Sequence, residues 1–184
     1  MSARLSSSAG YQTVTDWMGT PTLTLQDIWP EHPRAMIVGL NPAPDSVAAG
    51  HYYQGRVGQR QVRRLVDAGM FDVSPGELFF EEAAVRVGVG LSDLVKRPTG
   101  REGGVMAAER SFGRGLLESE LAARNVELVI CVFRHPVEAL LSSSDGLGYQ
   151  ARRTSWGARV FRLPGPFEER ERAHAVMHTL ELHD

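Results

Sequence analysis

The 184 residues carry 42% hydrophobic and 23% charged side chains and a formal net charge of −2. That composition excludes a disordered or fibrous chain, leaves enough apolar sequence for one domain with a substantial core, and excludes a uniformly basic nucleic-acid binder. The single cysteine, Cys131, excludes a disulfide framework and any zinc or iron–sulfur centre built on several thiolates.

In chain order, residues 1–21, with Ser6-Ser7-Ser8 and scattered Gly and Thr, lack a core periodicity and read as a flexible arm, so a single domain is expected over 22–184. No charged and apolar leader opens the chain, and no apolar run approaches the roughly 20 residues needed to cross a bilayer. A cytoplasmic protein with no membrane contact is expected, and a monomer. Residues 35–40, Ala-Met-Ile-Val-Gly-Leu, form a continuous apolar run, the pattern of a parallel strand covered on both faces. Pro42 and Pro44 forbid a continuing ladder or helix, which leaves Asn41 at the strand's carboxyl end, where open α/β sheets hold their ligands.

Residues 59–70 place Val62, Leu65, Val66 and Met70 at helical spacing with Arg60, Arg63 and Arg64 on other faces. Ser74-Pro75-Gly76-Glu77 resembles an N-cap with proline at the first helical position and predicts a short helix to about Ala84. A loop at 100–104, a helix over 105–124 and a strand over 128–133 containing a buried Cys131 come next. His135-Pro136 marks a strand-to-helix turn. A strand over 158–163 and an amphipathic helix over 168–182 complete the chain. Strands alternating with helices predict an α/β fold, a three-layer α/β/α domain with a short, mainly parallel central sheet.

The chemistry concentrates in Gly39-Leu40-Asn41-Pro42-Ala43-Pro44 and the following Gly50-His51-Tyr52-Tyr53-Gln54-Gly55, which bring an amide and aromatics to the mouth of a buried strand. That pairing suits a pocket for a flat, amide-bearing ring. Asn41 can pair with a base edge, orient a water through its side-chain oxygen, or simply form the turn before proline. Arg56, Arg60, Arg63 and Arg64 cluster beside the aromatic loop, and Lys96, Arg97 and Arg101 form a second group. If both flank one pocket, they hold phosphates; against this, nineteen of the twenty basic residues are arginine, so clusters also arise from abundance. Phosphate-loop, dinucleotide, nucleophile-elbow and H-E-x-x-H patterns are all missing, and His174 and His178 have no third ligand in sequence. Nothing calls for a cofactor or a metal.

Residues 24–69 resemble the mismatch-specific uracil and thymine DNA glycosylases, a branch of the uracil-DNA glycosylase superfamily whose first motif reads G-I-N-P-G. The resemblance is carried by Thr24-Leu25-Gln26-Asp27-Ile28, the Gly-Leu-Asn-Pro motif, Gly50-His51-Tyr52-Tyr53 and Ala68-Gly69. Gly90-Leu91-Ser92-Asp93-Leu94-Val95-Lys96-Arg97-Pro98-Thr99 is similar to the family's G-I/V-T-x-L-V-x-R-P-T segment. Trp156-Gly157 and Val160-Phe161-Arg162-Leu163-Pro164 give a third match, ending at Gly165-Pro166.

The resemblance implies a monofunctional DNA repair enzyme that flips uracil from DNA, most readily from G·U mismatches, and hydrolyses its N-glycosidic bond. Alternatives are a glycosylase for hypoxanthine, xanthine or an etheno adduct, and a catalytically weak nucleic-acid-binding module. In this reading Asn41 places the attacking water and Tyr53, with Tyr52 in competition, stacks on the base. Gly39, Leu40, His51 and Gln59 complete the base pocket, where His51 either touches the base edge or caps the loop. Asp93 either polarises the water and stabilises the sugar cation, or serves as a helix cap or partner of Arg97. Damaged DNA, duplex or single-stranded, is held by Lys96, Arg97, Arg60, Gly165, Pro166 and Phe167. Where close relatives carry the duplex-penetrating N-P-S-G-L-S, this chain has Gly165-Pro166-Phe167-Glu168-Glu169-Arg170. Phe167 is therefore either a substitute wedge or a core anchor, and Glu168 and Glu169 must turn away from phosphates, toward the start of the last helix.

Overall fold

A computed structural model describes residues 9–182 of the chain. The elements run β1 (Gln12–Trp17), β2 (Thr20–Leu25), β3 (Ala35–Gly39), α1 (Pro44–Ala49), α2 (Arg56–Asp67), α3 (Glu81–Arg86), β4 (Val89–Asp93), α4 (Ala107–Ala123), β5 (Leu128–Cys131), α5 (Arg134–Leu141), β6 (Gly148–Tyr149), β7 (Arg159–Arg162) and α6 (Arg170–Met177). Strands β4, β3, β5 and β7 lie parallel in that order, and β6 adds an antiparallel edge to β7.

Alternation along β3 sorts the core into two layers. Ala35 and Ile37 join the cluster formed with Val62, Leu65 and Phe80 from the α2 and α3 side, while Met36 and Val38 join Leu117, Leu121, Val137 and Leu140 of α4 and α5. Both faces of β3 and β5 are thus covered, which is why their sequences are unbroken apolar runs. The expected three-layer α/β/α fold is the observed one. No helix among the described residues is long and apolar enough to cross a membrane.

Several expected boundaries are corrected. The arm expected over 1–21 is, from Gln12 onward, an ordered hairpin with β2; residues 1–8 lie outside the described residues. Met18 and Gly19, with φ of 54° and 82°, make its two-residue turn, the left-handed pair that matches strand twist. Trp17 is buried and its indole N–H donates to Glu109 Oε1 at 3.2 Å, so the hairpin is anchored to α4.

Ser74-Pro75-Gly76-Glu77 does not cap a helix: Glu77 N donates to Ser74 O at 3.0 Å with Gly76 at φ 85°, the signature of a type II turn. The helix begins only at Glu81. Pro44, expected to forbid a helix, instead opens α1 as its first residue, where a missing N–H costs nothing. The last helix is the shorter α6.

Candidate active site

Parallel register sets Gly39 of β3 directly beside Asp93 of β4, both at the carboxyl ends of their strands. A Cβ on Gly39 would run into Asp93 Oδ1 and reach within 3.1 Å of the Tyr53 hydroxyl, so the glycine is what lets the carboxyl and the phenol approach the same spot. Asp93 is buried. Its carboxyl is pushed up to about 7, first by burial; Lys96 pulls it down and Asp27 pushes it up. The alternative readings of Asp93 as a helix cap or an Arg97 partner are overturned, because it ends a strand and Arg97 pairs with Glu109.

Asn41 lies two residues beyond Gly39 and is half-buried. Its Nδ2 donates to Arg97 O at 3.0 Å and to Thr99 Oγ1 at 2.8 Å. The Thr99 hydroxyl hydrogen goes to Arg101 O at 2.8 Å, so Thr99 Oγ1 can only accept from Asn41, and the amide orientation is chemically fixed. Oδ1 is the end left to meet a water or a base N–H.

Tyr53 sits at φ 55° on the loop between α1 and α2. Gln59 Nε2 donates to its carbonyl at 3.0 Å, and a Cβ on Gly58 would come within 2.7 Å of its Cα, so the first turn of α2 lies flush against it. Its hydroxyl is buried and has no hydrogen-bond partner among the described residues, and burial followed by the Asp93 charge raises its pKa well above the ordinary phenol value. Tyr52 settles into the core instead, its hydroxyl donating to Gln26 O at 3.1 Å. Tyr53 is the aromatic that reaches the Gly39–Asp93 spot.

His51 is directed away from that spot. Its Nδ1 lies 3.2 Å from Glu81 Oε1, and its ring stacks on Phe79 at 3.6 Å. Glu81, which the sequence did not mark, is buried and also accepts from Tyr52 N at 2.8 Å and Phe80 N at 3.1 Å. Through its contacts with His51 and Tyr52, this carboxylate ties the aromatic loop to the start of α3. His51 and Gln59 are therefore loop-fixing residues in this structure, and Leu40 is buried in the second core layer.

The basic residues divide sharply. Lys96 Nζ donates to Asp27 Oδ1 at 2.5 Å, Asp93 O at 2.9 Å and Ser92 Oγ at 3.2 Å, which engages all three of its hydrogens. Arg97 forms a two-pronged pair with Glu109, both contacts at 2.7 Å, and donates to Gly104 O at 2.8 Å. Glu109 is held down to about 2, chiefly by the Arg97 hydrogen bonds. Lys96 and Arg97 thus brace the loop carrying Asn41's acceptors rather than standing free for phosphate.

Along α2, Arg64 Nη1 donates to Pro164 O at 2.7 Å and Gly165 O at 2.5 Å, Gln61 Nε2 to Pro164 O at 2.9 Å, and Arg60 Nη1 to Pro166 O at 2.8 Å. The segment so fixed lifts Phe167 into solvent, 85% exposed, which overturns the core-anchor reading. Glu168 pairs with Arg172 at 3.3 Å, and Glu169 caps α6 by accepting from Glu171 N and Arg172 N, both at 2.9 Å. Both acids are thereby turned onto the helix. Cavities of about 520 and 1010 Å³ flank Phe167 and share Arg60 and Pro166 in their walls. Neither is lined by Asn41, Tyr53 or Asp93.

A three-layer α/β/α domain carries a buried carboxyl and a phenol that meet at Gly39, and two residues further along the chain from Gly39 an oriented amide, Asn41. The model of the uracil DNA glycosylase superfamily matches residues 26–179, and the chain belongs to that superfamily. Its class is that of hydrolases acting on N-glycosyl bonds of DNA in repair. No curated protein matches the chain.

Proposed function

We propose that this superfamily member releases uracil from DNA, taking G·U mismatches ahead of A·U pairs. The observation that carries the reading is the fixed amide of Asn41: with both Nδ2 hydrogens engaged by the 97–99 loop, Oδ1 is a preset acceptor for one water. The uracil leaves the stack and its face meets Tyr53. The C1′–N bond breaks with its electron pair on the base, the Asn41-held water adds its oxygen to C1′, and ionised Asp93 takes the water's proton or balances the positive sugar. Monofunctional hydrolysis is supported by Lys96, the only lysine, whose Nζ is held by Asp27 Oδ1, Asp93 O and Ser92 Oγ rather than extended toward a sugar carbon.

Alkali-revealed strand cleavage on oligonucleotides with uracil opposite guanine, opposite adenine and unpaired tests this. Asn41→Ala is expected to slow release by about a hundredfold or more. The wild-type rate is expected to climb with pH through about 7, as Asp93 ionises, and Asp93→Asn to flatten that climb. Wild-type protein that releases no uracil from any of these strands sinks the proposal. The buried Tyr53 hydroxyl, unpartnered among the described residues, favours a second reading, an oxopurine such as hypoxanthine or xanthine whose extra polar edge would partner it.

A further inference from the structure

The smaller cavity beside Phe167 has a charge pattern that the larger lacks. Its wall contains Arg56, Arg60 and Arg63 and no carboxylate, whereas the larger sets Arg60, Arg64 and Arg170 against Asp67, Glu168 and Glu171. Arg60 is fixed by Pro166 O; among the described residues Arg56 and Arg63 make no hydrogen bond or ion pair. The same wall holds exposed apolar surface from Val57 and Phe167. At about 520 Å³ the cavity lies in the range of small-ligand sites. Gln59 lines it and also donates to the Tyr53 carbonyl, so the cavity and the Tyr53 loop share a wall. An electropositive basin with an apolar side, one side chain away from the aromatic loop, matches a nucleotide: a π-face and an anionic link.

We propose that this basin is a second nucleotide subsite, which takes an unpaired nucleotide adjoining the flipped one, its base against Phe167 and Val57 and its phosphate between Arg56 and Arg63. The inference rests on the glycosylase reading and adds to it a preference in strand form. In a duplex the neighbouring base is stacked and paired, so filling the basin requires a second unpairing; in a single strand that base is already free. Uracil in single-stranded DNA is therefore bound ahead of uracil in either duplex.

The test uses single strands with one uracil whose 5′ or 3′ neighbour is either an ordinary nucleotide or a tetrahydrofuran abasic spacer. Wild-type KM is expected to rise about tenfold when the spacer replaces the base on one side. The double variant R56Q/R63Q is expected to raise KM for the complete strand by about tenfold, with the loss in KM rather than kcat, and Phe167→Ala to erase the difference between base and spacer. Equal KM for complete and spacer strands on both sides, or an unchanged KM in the double variant, overturns the subsite. Fluorescence anisotropy on the same strands reads the subsite without turnover. Absence of uracil release would then count against the glycosylase reading, while equal affinity for base and spacer would count against the subsite.

Discussion

Lys96 and Arg97, on the loop after β4, meet Asp27 and Glu109, whereas Arg56 and Arg63, on α2, meet no partner among the described residues. The two groups look alike in composition and differ in what their charge is for. The first builds the interior: its partners brace the 97–99 turn that orients Asn41, and Lys96 tempers the electrostatics around Asp93. The second lies along an acid-free basin, where a polyanion is the natural complement. Net charge averages the two away, so a chain at −2 still carries a locally basic, acid-free surface.

Removing the internal group's anchor should have the largest effect. Glu109→Gln loses the two-pronged Arg97 pair and weakens the Trp17 and Met106 contacts; with Arg97 38% exposed, water recovers part of the loss, and unfolding free energy should fall by about 2–3 kcal/mol. Glu109 has a lowered folded-state pKa, so its contribution is present above its ordinary 4.5 and disappears as pH falls toward about 2. Denaturant titrations at several pH values should show the gap between wild type and variant closing on the acid side. A constant gap would mean that the pair contributes through shape rather than charge.

A subtler change separates the roles of Lys96. Because Lys96 pulls the Asp93 carboxyl down and Asp27 pushes it up, Lys96→Gln should move the midpoint of the pH–rate profile above about 7, and Asp27→Asn should move it below. Coincident profiles would detach Lys96 from the chemistry. The smallest effect is expected at α2. Arg63→Gln should leave thermal stability within about 0.5 kcal/mol of wild type while lowering the salt dependence of DNA binding by about one counterion; Lys96→Gln should leave that slope alone. A lower slope for Lys96→Gln would break the division between the groups.

Much of this architecture is legible in the sequence where burial is two-sided. Strands β3 and β5 announce themselves as apolar runs because helices cover both faces, whereas β7, Arg-Val-Phe-Arg, buries only its two central residues. Strand β4 does not, since Gly90, Ser92 and Asp93 interrupt its pattern. Gly90 is there because Ile28 O would lie 2.5 Å from any Cβ, a close approach from a segment more than sixty residues earlier. The β1–β2 hairpin is rich in threonine and one-sided in its burial, which a search for core periodicity passes over.

At the site, Asn41, Tyr53 and Asp93 were marked by motif, and the structure brings Tyr53 and Asp93 together at Gly39. The partners of Lys96 were not legible, because Asp27 is 69 residues away and local spacing carries no such information. Glu109 was hidden as well, because the residue three before it, at the N-cap of α4, is Met106 rather than the Ser or Thr of a capping-box signature. Glu81 left no readable trace.

Cys131 sits at the carboxyl end of β5, fully enclosed, and burial pushes its thiol far above the ordinary range. The wild-type chain therefore offers no thiolate to a maleimide at neutral pH. A cysteine introduced at the exposed position 167 would be the single labelling site of the molecule, so a dye or spin probe placed there would report from the rim between the two cavities against a silent background.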